Sequence, residues 1–220
     1  MGASEAGSEK GGVTMSAKRA LILVDVQNDF LPGGSLAVPD GDRIIPVLNR
    51  YIELFHRAGL PIYATRDWHP EQTRHFQAYG GLWPPHCVQG TRGAEFHPDL
   101  KLTPETIIIS KGMDPNEDSY SGFQGRTADG VAFAEELKRR GIEHLYVGGV
   151  ATDYCVRHTV LDARRLGFRV TVLEDAIRGV DLTPGDSERA LREMMEAGAS
   201  LARFEDVARE MSAPAEAAPR

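Results

Sequence analysis

The stretch GGVATDYCV, residues 148–156, sets a cysteine a few positions after an apolar run that ends in paired glycines. A cysteine in the first turn of a helix is placed for nucleophilic work, because free N–H groups and the helix dipole there favour a thiolate. With Thr152 as N-cap, Cys155 falls in that turn. A buried small hydrophobe is the competing reading of any free cysteine, and position alone does not separate the two. Asp25 follows LILV in VDVQNDF, and Lys111 follows TIIIS. A desolvated carboxylate beside a thiol can accept its proton, and a tethered ammonium would balance both and lower the thiol's pKa. Taken singly, each reads as an ordinary strand-end or surface residue.

A second group lies in DWHPEQTRHFQAYGGLWPPHC, residues 67–87. Asp67 and His69 are two apart, so an extended segment presents both to one side. His86 follows, with His75 between. Histidines and a carboxylate around an open position suit a catalytic-type divalent metal; zinc fits best, and iron and manganese also accept such ligands. Surface histidines on a loop are the alternative. Cys87 adjoins His86 and competes as a ligand. Adjacent residues point apart, so His86 is preferred and Cys87 is read as packing.

These residues need elements to hold them. Apolar runs at 20–26, 60–67, 106–112, 144–150 and 169–175 are rich in Val, Ile and Leu with little alternation. That is the pattern of strands buried on both faces. Helical patterns separate them: 42–59 with Ile45, Leu48, Ile52 and Phe55 on one stripe, 127–141 opening at Thr127, 152–167, and 187–198 before a sixth strand in ASLARF. Strands alternating with helices give an α/β fold of three layers, helices on both faces of a mostly parallel, doubly wound sheet of about six strands. Asp25, Asp67, Lys111 and Cys155 then all sit at the carboxyl ends of strands, where such sheets bind ligands. Residues 68–105 break the rhythm, and a long irregular insertion in a compact domain is usually functional.

The chain has 220 residues, 41% hydrophobic and 26% charged, with net charge -7 and no basic run. This is a soluble globular composition without a nucleic-acid footprint. Two cysteines are too few for a disulfide framework and suit a reducing compartment. No stretch is long and apolar enough for a membrane span, and the N-terminus lacks the apolar core of a signal peptide. Residues 1–18 and 209–220 read as flexible tails around one domain at 19–208, with Met15 as an alternative start.

The set VDVQNDF, DWHP, WPPHCVQGTRGAEFHPDL, SKG…YSGF and GGVATDYCV resembles the nicotinamidase (pyrazinamidase) family of isochorismatase-like cysteine hydrolases. The resemblance implies hydrolysis of nicotinamide to nicotinic acid and ammonia through a cysteine thioester, in cytoplasmic NAD salvage, with pyrazinamide also accepted. It implies a triad of Asp25, Lys111 and Cys155. It implies a metal on Asp67, His69 and His86, with His75 at a fourth position where relatives use histidine or water. Backbone N–H groups of Ala151 and Cys155 would hold the oxyanion, with a cis peptide before Ala151. Phe30, Trp83 and Tyr120 match the pocket walls, and Tyr154 adds an edge. The family includes monomers and larger assemblies, so a homo-oligomer is compatible with it. Relatives acting on ureido or carbamoyl amides generally lack the D-x-H pair, isochorismatases usually lack the cysteine, and the intact triad argues against a silent binding protein.

Overall fold

The structure, a computed structural model, describes residues 18–212. Six strands form one all-parallel sheet: β1 (Lys18–Val24), β2 (Ile62–Asp67), β3 (Ile107–Lys111), β4 (Ile142–Val150), β5 (Arg169–Arg178) and β6 (Ser200–Ala202). Their order is β3-β2-β1-β4-β5-β6. The chain winds outward one way from β1 and then the other way from β4, so the switch point falls between these two strands.

Alternation along β1 explains the two helical layers. Leu21 and Leu23 pack with Leu48, Tyr51, Ile52 and Phe55 of α1 (Ile45–Arg57) and Val207 of α5 (Phe204–Ser212). Ala20, Ile22 and Val24 face the other way. They pack with Phe133 and Leu137 of α2 (Phe133–Arg139), Val160 of α3 (Arg157–Arg165) and Met194 of α4 (Asp186–Glu196). The three-layer α/β expectation is met.

Several boundaries differ from the sequence reading. The helix expected over 127–141 begins only at Phe133. Thr127 caps no helix: its hydroxyl bonds Asp129 and Val131, which closes a turn before α2. α1 is preceded by a tighter 3-10 turn, Gly41–Ile44, with Pro46 in its first turn, where a missing N–H costs nothing. Lys18, expected in a tail, opens β1, and residues 209–212, also expected there, belong to α5, which runs to Ser212. The remaining tail positions, 1–17 and 213–220, lie outside the described residues, Met15 among them. Among the described residues no helix is long and apolar enough to cross a membrane.

The glycine pair ending β4 has a steric cause. Gly149 has φ +128°, and a Cβ there would lie 2.1 Å from the Val24 carbonyl oxygen. Only glycine lets β4 approach β1 this closely at the switch point.

Candidate active site

Asp25 leaves the end of β1, and Cys155 lies in the turn after β4, on opposite sides of the switch point. Lys111, fully buried at the end of β3, reaches between them. Its Nζ is 2.8 Å from Asp25 Oδ2 and 3.7 Å from Cys155 Sγ, and it also pairs closely with Asp67. Thr65 donates to Asp25 Oδ1 at 2.6 Å and so fixes which carboxylate oxygen faces the ammonium. Asp25 and Cys155 thus both stand against the one buried ammonium. The structure therefore brings together the three residues that the sequence leaves separate.

At Cys155 burial opposes the helix start and the lysine that favour a thiolate. Burial pushes its thiol well above the ordinary value; Lys111 opposes this, and the carboxylates of Asp25 and Asp67 reinforce it. Its helix start is also unlike the expected one. Ala151, not Thr152, precedes the first turn, Cys155 is its fourth residue, and Thr152–Val156 is a wide π-turn. Tyr154 and Val156 both donate to the Ala151 carbonyl. Burial also raises Asp25, with Lys111 lowering it and Asp67 raising it. A neutral thiol beside a carboxylate of raised basicity is arranged for proton transfer within the pair. Lys111 stays charged despite burial, because two carboxylates hold it.

The second group converges just as closely. His69, His75 and His86, all buried, each place a ring nitrogen within 4.8 Å of the others. Their tautomers follow from their other partners. His69 Nδ1 is 2.9 Å from the Gly112 carbonyl and His86 Nδ1 is 2.7 Å from that of Pro84. His75 Nδ1 is 2.9 Å from the Asp118 carboxylate. All three partners only accept, so each Nδ1 carries the proton and each Nε2 keeps its lone pair. Gly112 permits this closeness: a Cβ there would sit 2.5 Å from the His69 ring. His69 Nε2 is buried with no hydrogen-bond partner. An orphaned lone pair among imidazoles that burial keeps neutral, His86 down to about 4 and His75 also lowered, fits a cation.

Asp67 Oδ2 lies 3.5 Å from His69 Nε2 and 3.9 Å from His86 Nε2. Burial would raise its pKa, but the Lys111 ammonium holds it low. The donors thus fit a divalent metal. Cys87 stands outside the cluster: its Sγ is 3.9 Å from the Gly93 carbonyl, and burial keeps its thiol protonated.

Both groups open onto one cavity of about 70 Å³. Cys155, Ala151, Asp67, His75 and His86 line it with Phe30, Trp83, Tyr120 and Tyr154. The Trp83 ring stands edge-on to Tyr154 at 5.3 Å, and Trp83 Nε1 donates to the Tyr120 hydroxyl at 3.0 Å. The peptide bond between Val150 and Ala151 is cis.

Four contributors are missed by sequence reasoning. Gln27, within the quoted VDVQNDF, binds both the N–H and the carbonyl of Asp67 at 2.8 Å. Thr65 and Asp118 act through tertiary contacts that no spacing announces, and the buried Ser119 lines the cavity.

An acid, an ammonium and a thiol at the switch point of a parallel sheet, beside a histidine cluster, define a hydrolase of the α/β class. The chain belongs to the isochorismatase-domain family, whose profile matches residues 19–206, and several of its relatives are nicotinamidases. The nicotinamidase of Escherichia coli is 42% identical over 200 residues, covering 83% of this chain and 93% of that protein. The nicotinamidase/pyrazinamidase of Mycobacterium tuberculosis is 40% identical over 189 residues, covering 83% and 97%. The pyrazinamidase of Pyrococcus horikoshii, solved in complex with zinc, superposes with TM-score 0.79 at 49% identity, covering 85% of this chain and 99% of that one.

Proposed function

We propose that this protein is a nicotinamidase, hydrolysing nicotinamide to nicotinic acid and ammonia in cytoplasmic NAD salvage, with pyrazinamide as a second substrate. The observation that carries the reading is the burial of Asp25 and Cys155 against the Lys111 ammonium, with Cys155 on the wall of an aromatic-lined cavity. The names of the relatives support the substrate, as does a relative from L. infantum solved in complex with nicotinate at 40% identity and TM-score 0.76.

In this mechanism Asp25 takes the Cys155 proton as the sulfur attacks the carboxamide carbon. Backbone N–H groups of Ala151 and Cys155 receive the developing oxyanion. Asp25 returns the proton to the amine as the C–N bond breaks, releasing ammonia and leaving a thioester. Asp25 then takes a proton from water as that water attacks the thioester carbon. The sulfur leaves, recovers the proton, and nicotinic acid is released. Lys111 keeps Asp25 ionised and placed between these transfers. Phe30, Trp83, Tyr120 and Tyr154 bury the ring faces. His69, His75, His86 and Asp67 would hold one divalent ion, zinc by preference, which when bound supplies a Lewis-acidic position in the cavity wall suited to a ring nitrogen.

The test is ammonia and nicotinic acid release by the zinc-loaded protein. Nicotinamide and pyrazinamide should be turned over at least about tenfold better than benzamide, which has the shape but no ring nitrogen. Equal turnover of benzamide would make this a general amidase pocket.

A further inference from the structure

Ser119 is 4% exposed and lines the catalytic cavity, yet its hydroxyl has no hydrogen-bond partner. A buried unpartnered hydroxyl is costly, and folded proteins retain few. Its neighbours in sequence are all engaged. Asp118 holds His75 Nδ1 at 2.9 Å, the Tyr120 hydroxyl takes the Trp83 indole N–H, and Ser121 caps the turn Gly122–Gln124. Those bonds fix the backbone on both sides of Ser119, so it has little freedom to find a partner elsewhere. The wall around it offers mainly aromatic and aliphatic surface, so a polar group here serves no packing purpose. His69 Nε2, likewise unpartnered, has the histidine cluster to explain it; Ser119 is no member of that cluster.

We propose that Ser119 is a substrate-contacting, specificity-determining residue, whose hydroxyl is completed by the polar group of the bound carboxamide. The inference rests on the amidase reading of the same cavity. A hydroxyl both donates and accepts, so it suits an amide, which carries both functions. It favours ligands with a hydrogen-bonding group in that part of the cavity and leaves apolar rings of equal size with an unsatisfied hydroxyl.

The experiment compares wild type with Ser119→Ala and the near-isosteric Ser119→Cys. Each is measured for KM and kcat on nicotinamide, zinc content, and melting of the ligand-free protein. A neutral hydrogen bond lost to the substrate should raise KM about three- to tenfold in both variants, with kcat and zinc content little changed. The ligand-free Ser119→Ala protein should melt at or above the wild-type temperature, because no protein contact is removed and an unsatisfied group is. An unchanged KM would overturn the inference, and so would a melting point several degrees lower, which would make the hydroxyl structural. Loss of zinc in Ser119→Ala would overturn it in favour of a role at the metal. Failure of the amidase reading shows separately, as a wild-type protein that releases no ammonia. The melting comparison needs no activity and still decides whether the hydroxyl has a structural partner.

Discussion

Replacing Asp25 and Lys111 in turn should separate chemistry from folding, because the buried charges around them are unequal. Lys111 contacts two buried carboxylates, Asp25 and Asp67. In Asp25→Asn the ammonium keeps Asp67, so no buried charge is stranded. The asparagine oxygen can still accept from Thr65, which donates to Asp25 Oδ1 at 2.6 Å. Its NH2 must then face the ammonium, donor against donor, at a cost of about 1–3 kcal/mol. In Lys111→Met both carboxylates lose their cation, and breaking a buried pair typically costs about 3–5 kcal/mol. Turnover should fall in the opposite sense to this mild stability loss. Without a base for the buried thiol, Asp25→Asn should lose about 10²–10⁴ in kcat while remaining folded. Urea denaturation of the metal-free proteins and ammonia release by the zinc-loaded ones give the two readings. If Asp25→Asn is as unstable as Lys111→Met, the charge reasoning fails; if it turns over normally, Asp25 is no base.

Three further outcomes follow from the same geometry. Cys155→Ala should abolish turnover and Cys87→Ala should keep most of it, measured by ammonia release; the reverse would move the nucleophile to Cys87. His69→Ala, His75→Ala and His86→Ala should each lose bound zinc by elemental analysis. Asp118→Ala, which frees His75 Nδ1, should weaken zinc binding by about 10–100-fold, and full zinc content in a His69→Ala, His86→Ala double variant would refute the site. Burial lowers His86 and His144 to about 4, whereas an unfolded imidazole titrates near 6.5. The unfolded chain therefore binds protons first as pH falls, and stability present above about pH 6.5 should decline toward pH 4. Urea midpoints at several pH values check this, and a midpoint that rises on acidification would contradict it.

The parts of this protein legible in its sequence are those with a local physical signature. Strands buried on both faces read as apolar runs, and the all-parallel sheet follows from the helices between them. The rim residues could be named because each stands where such a run ends. Helix starts were less legible: Thr127 has the chemistry of a cap, but its hydroxyl is spent on closing the preceding turn, and α2 begins at Phe133. The electrostatic surroundings of Cys155 are illegible for a related reason. Sequence position reports the helix start and the lysine, both of which favour a thiolate. It does not report the burial and the second carboxylate, Asp67, that oppose it. Asp67 itself shows why these effects cannot be apportioned by motif. Its backbone is held by Gln27, its carboxylate by Lys111, and its other oxygen faces the histidines. One side chain thus couples the metal ligands to the catalytic ammonium, and any change in the charge of one group is felt by the other across a single buried carboxylate.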